Sequence, residues 1–188
     1  MRFKLAASAA LVAVPFILLG APANAAKANV TNFHGTFSGF EEVGALNAET
    51  GAIFSPNAKA TVDLDLNRAA RTITFKLTFS GLSAPVTQSH IHFGKRHVPG
   101  GIMVFFCTNL NNGPAGTQMC PAGGGTVTGT ITGGDVRPLP GQHITAGDFD
   151  ALVAVLDSDS AYGNIHTTNF PAGEIRAQIR HDEDDDGR

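Results

Sequence analysis

An all-β fold, an antiparallel β-sandwich with one short helix, is what this sequence predicts, and three observations predict it. Two runs, 58–66 (AKATVDLDL) and 72–79 (TITFKLTF), alternate apolar and polar residues with period two, the mark of half-buried strands. Further short runs of the same kind are punctuated by Gly, Pro and Asn, with 22 glycines and 10 prolines in 188 residues. Thirteen phenylalanines against one tyrosine and no tryptophan suit a Phe-filled core and not an aromatic sugar-binding platform.

The elements follow in order. Residues 1–25 carry Arg2 and Lys4, an apolar run over 5–19 and the small-residue close Ala23-Asn24-Ala25, the layout of a signal peptide cleaved after Ala25. That run is too short for a comfortable bilayer span, and no later stretch approaches the ~20 apolar residues a spanning helix needs. A secreted or periplasmic protein with no membrane span after cleavage is therefore expected. Residues 26–32 read as a short linker, 33–180 as one domain, and 181–188 as a solvated tail holding five consecutive acids, Asp182 to Asp186.

Within the domain, 33–40 (FHGTFSGF) is the first expected strand. In 58–66, Ala58, Ala60, Val62, Leu64 and Leu66 face inward; in 72–79, Ile73, Phe75, Leu77 and Phe79 do the same, and the short link NRAAR makes the two a hairpin. Strands are expected at 88–93, 101–107, 125–132, 162–168 and 174–180. In 145–159 the apolar residues Phe149, Leu152, Val153 and Leu156 fall at helical spacing, with Thr145 or Asp148 as the cap. The two cysteines, Cys107 and Cys120, are expected to form a disulfide in an oxidising compartment, contributing roughly 3 kcal/mol.

Charge and motifs exclude several classes. Without Arg2 and Lys4 the chain has 11 basic and 16 acidic residues, and five of those acids lie in the tail. The nearly neutral body offers no nucleic-acid footprint. No nucleophile elbow, phosphate loop or His-Glu-x-x-His motif is present, and nothing pairs a nucleophile with a base. Asp63 and Asp65, on the outward register of their strand with Lys76 opposite, read as a solvated face and not as a catalytic pair.

The chemistry is concentrated in three segments. In SHIHFG, His90 and His92 share one strand face and Ile91 and Phe93 the other, so the two imidazoles are expected on the outer surface of the sandwich. In YGNIHTT, Tyr162, Asn164 and His166 share a face; in GEIRAQIR, Glu174, Arg176, Gln178 and Arg180 do. Were these strands neighbours, His90, His92 and His166 would form a three-histidine metal site for zinc or copper, open to extension by His34, His97 or His143. Glu174 would orient a ligand by accepting its second N–H. The competing reading makes the same residues a hydrogen-bond network that holds the loops KRHVPGG and TNFPAG and binds nothing.

The stretches FSGFEEVGALNAETGAIF, SHIHFGKRHVPGGIMVFF and YGNIHTTNFPAGEIRAQI together resemble the chordin-type CHRD domain, over residues 33–180. That resemblance implies an immunoglobulin-like antiparallel β fold in an exported protein, in the single-copy form found in microbes, and leaves the molecular function undefined. A fainter likeness, confined to HIHFG and the sandwich pattern, is to copper-zinc superoxide dismutases. The chain lacks their His-rich, Asp-containing zinc loop, and a shared fold does not carry a shared activity. The expectation is a non-enzymatic binding or structural module with an extracellular or cell-surface partner. The alternative is a metal-binding protein that uses the His-x-His strand and a third histidine.

Overall fold

The computed structural model describes residues 30–43 and 54–182. The expected signal peptide, most of the linker, part of the FSGFEEVGALNAETGAIF stretch and nearly all of the acidic tail lie outside the described residues.

Eight antiparallel strands and one helix make up this region: β1 (Val30–Phe37), β2 (Lys59–Asn67), β3 (Thr72–Ser80), β4 (Val86–Phe93), β5 (Gly101–Thr108), β6 (Gly125–Ile131), α1 (Phe149–Asp157), β7 (Ala161–Thr167) and β8 (Ile175–His181). Every expected strand is present, and the all-β class with a short helix holds. The alternation of β2 and β3 is realised residue by residue: their apolar positions are buried, their polar positions exposed, and Asp63 pairs opposite Lys76. β1 stops at Phe37, three residues short of the expected strand, because Ser38 caps a short 3-10 turn over Gly39–Glu41 by accepting from the Phe40 N–H.

The strand order is β5-β4-β7-β8-β1-β2-β3-β6. β8 joins two four-stranded halves. It pairs with β7 along five residues but with β1 only at Phe33–His181 and His34–Arg180, with one further bridge between Ser38 and Arg176. The sheet thus folds over at the β8/β1 junction, and the core lies between the halves, filled by Phe33, Phe37, Phe79, Phe106, Leu64, Leu77, Ile91 and Ile165 among others. The outer strands β5 and β6 meet across a seam that Gln118 crosses, its carbonyl accepting from the Thr108 N–H while its side-chain amide donates to the Thr128 carbonyl. The disulfide Cys107–Cys120 closes that seam.

Asp148 caps α1 by accepting from the Ala151 N–H. Phe149, Leu152, Val155 and Leu156 are the buried face; Val153, expected there, is only half-buried, because the helix docks on its Leu152–Val155 side and turns Val153 toward the edge.

Candidate functional site

β4 and β7 are interior strands of one half-sheet, paired so that His92 lies opposite Tyr162, His90 opposite Asn164 and Gln88 opposite His166. Across β4's other edge His90 meets Phe105 of β5, and across β7's other edge Asn164 meets Arg176 of β8. The polar residues singled out from three separate segments therefore do share one sheet face.

That face is not the outer surface, which corrects the sequence expectation. All seven residues of β7 are buried, as are Ser89, His90, Ile91 and His92 in β4. The period-two argument assigned a face but could not see that the loops after β4 and β7 fold back over it. His90 is fully enclosed, and His92 and His166 are each 7 % exposed. The roof is tied down by these same side chains. The Nδ1–H of His92 donates to the Gly100 carbonyl at 3.0 Å, and the Nδ1–H of His166 donates to the Pro171 carbonyl at 2.9 Å. Arg176 donates to the carbonyls of Lys95 and Val98.

A neutral imidazole that donates through Nδ1 carries a lone pair on Nε2. In His92 that nitrogen lies 3.0 Å from Oδ1 of Asn164, an acceptor that a neutral ring meets well only with the Asn164 amide turned to present its N–H; among the described residues Nε2 of His166 has no partner, and in His90 neither ring nitrogen has one. Each of the three residues offers a ligand atom within 4.8 Å of the other two. Burial pushes the proton affinity of His90 down to about 2 and that of His92 down to about 4, and lowers that of His166. All three are thus held neutral, the form that ligates metals. Backbone carbonyls fix two of the rings, in the manner of the outer partners of metal-bound histidines.

Glu174 does not have the role expected of it. β8 begins one residue later, and the fully buried Glu174 carboxylate accepts hydrogen bonds from the hydroxyls of Ser55, Ser83 and Thr167 and from the Ser83 N–H, at 2.7–2.9 Å. It anchors three chain segments and touches none of the imidazoles' nitrogens. Nor do the other histidines join the cluster: His34 bonds Asp63 and Thr36, His97 bonds Glu41, and His143 sits in a left-handed turn after Gln142.

Sequence reasoning missed three contributors, and the stacking of two residues it did mark. Phe105 packs edge-on against His90, with ring centroids 4.4 Å apart. The Arg137 guanidinium lies over the Phe105 ring at 5.3 Å. On the other side Tyr162 stacks flat on His92 at 4.6 Å, and Arg176 lies 3.3 Å above the Tyr162 ring. The third missed residue is Glu42, only 5 % exposed, its Oε2 without a partner among the described residues and its carboxyl pushed up to about 7 by burial. Gly173 faces it so closely that a Cβ there would come within 2.4 Å of Oε2. Phe105, Arg137 and Glu42 carry no sequence signal; Gly-Glu-Ile-Arg did mark Arg176, though not its stacking.

Among known proteins, the CHRD domain family model matches residues 33–179. No curated protein matches the chain.

Proposed function

The chain belongs to the CHRD domain family, and from that premise we propose that it is an exported binding module whose ligand is one transition-metal ion, zinc or copper, held by His90, His92 and His166. One observation carries the reading: three enclosed imidazoles each offer a ligand atom within 4.8 Å of the other two, and ring nitrogens of His90 and His166 lack any hydrogen-bond partner among the described residues. A buried polar atom left without a partner costs about 1–3 kcal/mol, and three such nitrogens in one cluster call for a ligand. A bound ion would use the one lone pair that a neutral His90 offers and the Nε2 lone pair of His166. The signal peptide expected at residues 1–25 and the disulfide both fit an oxidising compartment outside the cytoplasm.

The donor set suits borderline metals and not calcium or magnesium, which take oxygen ligands. No described carboxylate joins the imidazoles in the ligand set. Tyr162, Asn164 and Arg176 serve as its polar support.

The architectural reading draws on a different observation, the bonds from His92 and His166 to the two roof loops. Elemental analysis of untagged protein, exposed to zinc and copper and then desalted, separates the two. The metal reading expects about one equivalent, lost in His92→Ala and in His166→Ala, and a melting temperature that falls on adding a chelator. A metal-free protein that stays folded and ignores chelators would overturn it.

A further inference from the structure

The surroundings of the trio bear on which ion it takes. His90 and His92 are each backed by an aromatic ring, and each ring is backed by an arginine: His90–Phe105–Arg137 on one side and His92–Tyr162–Arg176 on the other. Two cations therefore stand one ring removed from the ligand nitrogens. The stacks are tight, with Arg176 3.3 Å from the Tyr162 ring and that ring 4.6 Å from His92, and Arg137 5.3 Å from the Phe105 ring and that ring 4.4 Å from His90, so both charges face the cluster at short range. A fixed positive charge at that range opposes positive charge on a bound ion, in proportion to the ion's charge.

Nothing in the described donor set answers that field. All three ligands are imidazoles, with no carboxylate or thiolate among them. The cost of burying an ion in low dielectric rises with the square of its charge, so a dication without an anionic ligand is disfavoured on two counts. Geometry points the same way. Imidazole suits zinc and copper alike, but zinc completes a tetrahedron with a fourth ligand and copper(II) takes a tetragonal set, whereas copper(I) needs neither a fourth donor nor an anionic one.

Resting on the metal reading above, we propose that the His90/His92/His166 site selects copper(I) over zinc and over copper(II). Arg176 and Arg137 set that choice by charge, without touching the ion. With the guanidinium of Arg176 on the order of 8 Å from the ion and an effective dielectric of ~20, each extra unit of metal charge costs about thirtyfold in affinity. Arg137, half-buried and farther off, contributes a few-fold.

The test is a set of competition titrations near neutral pH on untagged protein, without oxygen. Copper(I) is titrated against bicinchoninate, and zinc(II) and copper(II) against chromophoric chelators. The expected result is one equivalent of copper(I), bound at least about tenfold more tightly than zinc(II), a margin set by the same Coulomb argument. Arg137→Gln, a change outside the buried network, should narrow that margin a few-fold, and Arg176→Gln, where it folds, should narrow it more. Zinc(II) or copper(II) bound as tightly as copper(I) would overturn the selectivity and leave the metal site standing. Copper(I) preferred by a margin unmoved in Arg137→Gln would overturn the role of the arginines. Failure to bind any of the three would remove the metal site itself.

Discussion

Glu174 shows how much one side chain can hold. Its carboxylate receives four donors at 2.7–2.9 Å from Ser55, Ser83 and Thr167, joining the chain before β2, the loop before β4 and the end of β7. Replacing it with alanine would leave those donors facing an apolar void. With the unsatisfied-donor cost at about 1–3 kcal/mol each and some recovered by water, Glu174→Ala should lose roughly 3 kcal/mol of stability. Urea denaturation measures this directly, and the metal content of the folded fraction should not change. A loss of metal with little loss of stability would instead restore Glu174 to the site. The sequence marked this residue as polar on a strand face, which was true as far as periodicity reaches. Its partners, Ser55 and Ser83, lie 119 and 91 positions away, and no local pattern encodes such distances.

At the scale of the element, β4 and β7 are where the reading of the sequence succeeded and then stopped. Alternation correctly put His90 with His92 and Tyr162 with Asn164 and His166. It treated the polar face as solvated because in most antiparallel sheets it is. Here both faces are covered, so β7 is an interior strand with a polar roofed side, and its packing tolerance is small on either side. Gly163 demonstrates the core side: a Cβ there would lie 2.8 Å from Cζ of Phe37. Gly163→Ala should cost about 1–3 kcal/mol through overpacking, read as a lowered denaturation midpoint. Because Tyr162 and Asn164 flank it on the opposite face, the variant should also weaken metal binding, although residue 163 points away from the cluster. An unchanged affinity would mean that β7 shifts as a rigid unit with β4.

For the whole molecule the buried imidazoles make stability depend on pH. Unfolded, each of the three histidines titrates near 6.5; folded, His90 and His92 are pushed down to about 2 and about 4, and His166 is lowered as well. A depressed folded value means that the unfolded chain binds the extra protons, so stability is full above pH 6.5 and declines as pH falls toward the folded values. Glu42 works in the opposite sense. Its folded value is raised to about 7 from 4.5, so the native state binds the extra proton between those limits and gains stability as pH falls through them. His90 and His92 against Glu42 leave a net uptake of about one proton on unfolding in the middle of the window between pH 6.5 and 4.5, or about 1.4 kcal/mol lost per pH unit, and the lowered His166 adds in the same direction. Metal-free protein should therefore show a melting temperature that is flat from pH 8 to 7 and falls steeply below about 6. Metal should hold that temperature up at pH values where metal-free protein has already lost it, because an ion on the same lone pairs competes with the protons. Protein whose melting temperature ignores both pH in this window and added metal would have its imidazoles exposed in solution. The folded-back loops over β4 and β7 would then not be the roof described here.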